Sequence, residues 1–208
     1  YSSVESLIEL VQNPNRAIHF KAFMALKEIG AEAKEALEEL YESEDSRMKA
    51  RAFWLLSKLP NGNEYIQKAA TDSDENIRVA AVRASRIHKL KDPSFLPVLA
   101  ADPSDQVRRE VAVAIRYKDV PEVWLKLAEG YRSGDRWYLE ALGIAAEYRW
   151  DSYLPAYLAK VGQGWSNSSE AKDLIWRSRS VGTPALLEEL ILAENSPADH
   201  RYYRALDF

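Results

Sequence analysis

The chain has 208 residues, of which 47% are apolar, and 28 basic against 32 acidic side chains leave a net charge of −4. That balance lacks the basic excess by which most nucleic-acid binders neutralise phosphates, so no nucleic-acid partner is expected. Zero cysteines exclude disulfides, thiolate metal sites and covalently attached c-type haem within these residues. No apolar run approaches the roughly 18 residues that a membrane helix needs.

Taken in order, the pattern predicts a first helix over Val4–Val11, with Ser2 and Glu5 spaced as a capping box. Asn13-Pro14-Asn15 turns the chain into a second helix that Gly30 stops. Further pairs follow at Ala31–Tyr41 with Arg47–Leu59, and at Glu64–Ala70 with Glu75–Leu90. The fourth pair opens at Asp92-Pro93, a cap and first-turn proline, and returns through the stretch Asp102–Ile115. The fifth pairs Pro121–Tyr131 with Asp135–Tyr148. A sixth starts at Asp151 and continues past the loop Val161-Gly162-Gln163-Gly164-Trp165-Ser166 to a helix capped by Asn167 and Glu170. The last joins Pro184–Ala193 to residues from Asp199 onward. Phe95-Leu96-Pro97 and Tyr153-Leu154-Pro155 occupy matching places in two first helices, and each proline is expected to bend its helix.

The second helices share one comb. From Pro103, small or apolar residues follow at +4, +8, +11 and +12 (Val107, Val111, Ala114, Ile115), the buried stripe of a helix. The comb also fits anchors at Pro14, Glu44, Ser73, Ser133, Asn167 and, with one mismatch, Pro197, at steps of 29 to 34 residues. A fixed period of this length predicts an all-α fold, an α-solenoid of about six to seven helix pairs with residues 1–208 as one repeat domain. Alanine recurs at +8 (Ala22, Ala52, Ala81, Ala141, Ala205), where helices cross closely. The fifth comb places Trp137, Ala141, Ile144 and Ala145 on the buried face.

Asp102-Pro103-Ser104-Asp105-Gln106-Val107-Arg108, with Ala112 and Ala114, resembles the HEAT repeat, and the likeness covers nearly the whole chain. HEAT arrays host many activities, so the likeness implies a fold and leaves function open. Gly134-Asp135-Arg136-Trp137-Tyr138-Leu139-Glu140-Ala141-Leu142-Gly143 and the closing Arg201-Tyr202-Tyr203-Arg204-Ala205-Leu206-Asp207-Phe208 resemble the HEAT segment of large exported planctomycete-type proteins. Those proteins join a sugar-dehydrogenase-like β-propeller, a helical repeat and a C-terminal c-type cytochrome. The resemblance implies an exported, multidomain parent whose haem lies elsewhere, with no cofactor held by these residues. A start at Tyr1 and a stop at Phe208 within a repeat fit a piece of a longer protein.

Acids at +2 (Glu75, Asp105, Asp135, Asp199) and bases at +5 (Lys49, Arg78, Arg108) stand three apart on one helix, and this ladder is expected to tie repeats together. At the fifth and seventh anchors the +5 base is replaced by Tyr138 and Tyr202. Aromatic and arginine residues crowd the second half, among them Trp124, Tyr131, Trp150, Trp165, Arg149 and Arg179. Buried rings with arginines lying over them account for much of this. What remains suggests a protein-binding patch centred on Arg136, Tyr138, Trp176, Arg177 and Tyr202, facing a partner protein or neighbouring domain of the same polypeptide. The expected role is a non-catalytic scaffold. The alternatives are a stand-alone HEAT adaptor and a HEAT-like DNA glycosylase, in which Trp137 or Trp176 stacks a damaged base and Asp135 stabilises positive charge. His19, His88 and His200 lack metal-ligand spacing, and His88 near a helix end is expected to complement the helix dipole.

Overall fold

The computed structural model describes residues 3–91 and 93–192. Among these there is no strand, and the helices pack as consecutive pairs, so the fold is of the all-α helical-repeat class. The chain forms two compact units, Tyr1–Phe95 and Leu96–Phe208, and each is described by itself.

The first unit contains α1 (Val4–Val11), α2 (Arg16–Ile29), α3 (Lys34–Tyr41), α4 (Ser46–Leu56), α5 (Gly62–Ala69) and α6 (Glu75–Ile87). The cap of α1 is Ser3, whose side chain accepts from the Ser6 amide, one residue later than the Ser2–Glu5 box. Gly30, at φ 67°, ends α2 as expected, and a short 3-10 turn then leads into α3. Ala22, Leu26, Ala52, Leu55, Leu56, Ile77, Ala81 and Ala84 are buried, which is the comb face. His88 caps the end of α6, but burial and the Lys58 ammonium both lower its pKa. It is therefore neutral at pH 7 and is not the cationic complement to the helix dipole that the sequence suggested.

The second unit contains α7 (Leu96–Leu99), α8 (Asp105–Ala114), α9 (Pro121–Gly130), α10 (Arg136–Ala145), α11 (Trp150–Val161), α12 (Ser169–Arg177) and α13 (Thr183–Leu192). Asp92, the expected cap of the fourth pair, lies outside the described residues, as do residues 193–208. Pro97 stands in the first turn of α7, where a proline removes no helical hydrogen bond. Pro155 lies inside α11 and offers no N–H to the carbonyl of Asp151. The loop around Trp165 is a 3-10 helix, Gly162–Asn167, entered through Gly162 at φ 79°.

One turn recurs before the second helices. The side chain just before each anchor accepts the amide of the residue just after it: Asn13 from Asn15 (2.8 Å), Ser43 from Asp45 (3.2 Å), Asp72 from Asp74 (2.9 Å) and Asp102 from Ser104 (2.9 Å). The residue after the anchor then caps the helix, as Asn15, Asp45, Asp74 and Ser104 do.

The fifth repeat departs from this frame. Its cap is Asp135, which accepts the Tyr138 amide at 2.9 Å, so the anchor is Gly134 rather than Ser133. Gly134 takes φ 101°, a conformation open to glycine, and the turn gains one residue. Ser133 Oγ and Tyr131 Oη donate instead to the buried carboxylate of Asp173 on α12, at 2.6 and 2.8 Å. The one-residue slip rotates every α10 side chain by about 100° relative to the expected face. Tyr138, Leu142, Ala145 and Ala146 fill the stripe, and Trp137 stands 77% exposed. The sequence reading that buried Trp137 is thus corrected by the glycine turn.

Behind α10 lies the aromatic core of the second unit. Trp124 is buried, with ring centroids of Trp150, Tyr153 and Tyr157 at 5.8, 5.2 and 6.4 Å, and its indole N–H donates to the Leu142 carbonyl at 3.1 Å. Each such ring pair adds about 0.5–1.5 kcal/mol beyond its buried area. This core holds α9, α10 and α11 in fixed relation.

Candidate interaction surface

The residues proposed from sequence divide sharply. Tyr138 is 1% exposed, its ring 5.8 Å from Tyr131, and its hydroxyl accepts from Arg108 Nε (3.0 Å) while donating to the Leu127 carbonyl (2.9 Å). It is a core residue and cannot meet a partner. Burial, opposed by Arg108, raises its pKa. Tyr202 lies outside the described residues. Arg136 is exposed, with a 3.4 Å contact from Nη2 to Glu140. Trp176 is half-buried near the end of α12. Arg177 lies flat on α10: its Nε donates to Glu140 Oε2 at 2.7 Å, and its guanidinium occupies the space a side chain at Gly143 would take.

The ladder residues act on the backbone as much as on each other. Arg78 Nη1 donates to the carbonyls of Asp72 and Ser73, both at 2.9 Å. Arg108 pairs with Asp105 and donates to the Asp102 carbonyl, the matching place one repeat on. Lys49 reaches Asp72 of the next repeat at 2.7 Å. Glu75 is exposed at the start of α6. These cations fasten the inter-helix turns, where carbonyls would otherwise lack donors. Asp135, proposed to stabilise charge in a glycosylase, spends one oxygen on its cap and stands 3.7 Å from Arg109 Nη1.

A feature that the sequence reading missed lies in the turns after α8 and α10. Tyr117 and Tyr148 occupy the same position in successive repeats once Gly134 is the anchor, and both have positive φ, 67° and 63°. An aromatic residue in this region is strained, by about 1–3 kcal/mol, where glycine or asparagine would be cheaper. Neither ring is buried in compensation: they are 60% and 79% exposed and stack on each other at 6.1 Å and 25°. Arg116 covers the Tyr117 ring at 4.5 Å and its Nε donates to Glu147. The strings Arg116-Tyr117-Lys118 and Glu147-Tyr148-Arg149, 31 residues apart, were the available sequence signal.

Beside Tyr148 opens a groove of about 730 Å³ whose lining includes Arg116, Glu147, Trp150, Asp151, Arg177 and Arg179. Asp151 Oδ1 accepts the Val181 amide at 2.8 Å, which joins the α12–α13 turn to the wall. Arg179 Nη1 donates to the carbonyls of Arg177 and Ser178, at 2.9 and 2.8 Å. Burial first, then Arg177, lowers the pKa of Arg179, and Glu140 opposes them weakly. Among the described residues no group of three or more histidine and carboxylate side chains could hold a metal, and no helix is long and apolar enough to cross a membrane. What the surface offers is planar cations and exposed rings, the side chains that carry most protein–protein hot spots.

No family model matches the chain, and no curated protein matches it. Among solved structures, it is similar to an engineered protein determined by the Northeast Structural Genomics Consortium, with 18% identity over 100% of this chain and 98% of that one. The TM-score is 0.35, too low for the likeness to bear on fold or function.

Proposed function

We propose that the chain is a non-catalytic interaction segment whose second unit presents a protein-binding surface made by Trp137, Tyr117, Tyr148 and the arginines beside them. The observation that carries this reading is the Tyr117–Tyr148 pair, two rings stacked in solvent on strained backbone. Strain at an exposed position, met only by the ring stack and by Arg116 over Tyr117, points to use by a ligand. Trp137, set outward by Gly134, extends the surface along α10. The finer form of the reading makes the partner a neighbouring module of the same polypeptide, sugar-dehydrogenase-like or cytochrome-like, in an exported protein. It is supported by the resemblance of Gly134–Gly143 to the HEAT segment of such proteins. The patch carried on from the sequence reading is then Arg136, Trp176 and Arg177, without the buried Tyr138 and with Tyr202 outside the described residues.

The test is photo-crosslinking in the native cells, with benzoylphenylalanine placed in turn at positions 137, 148 and 20. Phe20 is an exposed aromatic of the first unit and serves as control. A discrete protein adduct from 137 and 148, absent from 20, is expected. No adduct above the control, or an adduct with nucleic acid, would refute the reading.

A further inference from the structure

The groove beside Tyr148 carries more than exposed area, because its three guanidiniums are each held in place yet only partly used. Arg177 meets Glu140 through Nε, and the missing side chain of Gly143 lets its fork lie against α10. Arg116 meets Glu147 through Nε while its face covers Tyr117. Arg179 is pinned through Nη1 by two carbonyls of its own turn. A planar fork fixed by one bond keeps further donors in a set direction, so a second acceptor binds without the usual cost of ordering the side chain.

The charges around the groove limit what that acceptor can be. Arg116, Arg177 and Arg179 face Glu147 and Asp151 in the lining, and Glu140 stands behind Arg177. The excess is a single positive charge within the groove, reduced to zero once Glu140 is included. A phosphate dianion or a nucleic-acid strand would meet three carboxylates at close range and gain little. A single carboxylate fits the fork geometry and the small charge excess. Tyr148 at the rim, 79% exposed, offers a ring to the neighbouring residue of the same ligand.

We infer that this groove binds a peptide segment of a partner protein through one carboxylate side chain, seated on Arg177 and Arg179 with the peptide crossing the Tyr148 ring. The inference rests on the interaction reading above and names the partner's chemistry. It also gives Gly143 a role, since the groove exists because Arg177 can approach α10 there.

The probe is the single-carboxylate peptide acetyl-Gln-Gln-Glu-Gln-Gln-Gln-amide, titrated into the intact chain while the arginine Nε–H resonances are followed by NMR. The expected result is saturable shifts at Arg177 and Arg179, with a Kd below about 1 mM. Acetyl-hexaglutamine-amide and inorganic phosphate at matched ionic strength should leave these signals in place. Arg179→Gln should weaken the peptide by about tenfold, and Arg16→Gln in the first unit should not weaken it. Shifts that never saturate, or that are as large at Arg16 and Arg47 in the first unit, overturn the inference. So does tighter binding of phosphate or of a single-stranded oligonucleotide. The two readings fail separately: adducts at 137 and 148 without peptide binding leave the interaction surface standing and remove the acidic ligand.

Discussion

Gly143→Ala separates the groove from the fold. A methyl group on Gly143 would lie 2.6 Å from Arg177 Nε and closer still to the guanidinium carbon, so the arginine must leave. The substitution adds about 0.5–1 kcal/mol of helix stability, because alanine loses less backbone freedom than glycine inside a helix. Against that stands the Arg177–Glu140 pair, with side chains 18% and 33% exposed. A pair so open to solvent contributes about 0.2–1 kcal/mol. The two effects nearly cancel, and in a chain of this size a residue of about 1 kcal/mol moves the melting temperature by roughly 2–4 °C. Thermal unfolding should therefore stay within that window. The Arg177 Nε–H resonance should shift and exchange faster, and affinity for the single-carboxylate peptide should fall. A melting temperature lowered by much more would mean that backbone, not the arginine, crowds Gly143. An unchanged Arg177 resonance would refute the geometry outright.

Other consequences follow from the same structure. Asp173→Ala leaves the hydroxyl of buried Tyr131 without its acceptor; urea unfolding should register a loss of about 1–3 kcal/mol. Ala81→Leu and Ala141→Leu overfill two buried helix contacts, and each should cost about 1–3 kcal/mol. For these two variants, a midpoint equal to the parent's would contradict the packing. His88 has a folded pKa below its ordinary 6.5, so below that pH the unfolded chain binds more protons than the folded one. Stability should accordingly fall as pH drops from 7 through 6.5 and level off below the folded pKa. His88→Gln should remove that part of the slope in urea titrations at pH 7.5 and 5.0, and an identical slope in both proteins would rule it out.

The period and most of the comb are legible in the sequence because they depend on local rules. The expected caps fall one residue early: Ser3 rather than Ser2, and Ser168 rather than Asn167, accept the first free amides. The Val4–Val11 helix has the expected bounds. The fifth repeat resisted because Ser133 and Gly134 fit the anchor equally well in sequence, and the choice was made by a positive φ and by Asp173 about forty residues away. That single slip exchanged Trp137 and Tyr138 between solvent and core. Arg177 lies against α10 because of the space over Gly143, a feature that the sequence reading did not use. Tyr117 and Tyr148 escaped notice because they lie in turns, outside any apolar period, and their exposure follows from backbone geometry.

The central claim, that the second unit shows its aromatic surface to a protein, is met most directly by hydroxyl-radical footprinting read by mass spectrometry, on the purified chain and in the native cells. Trp137, Tyr117 and Tyr148 should oxidise readily in the purified chain and be protected in cells, with Phe20 oxidised alike in both and Tyr138 in neither. Equal oxidation of Trp137, Tyr117 and Tyr148 in both settings would contradict the account.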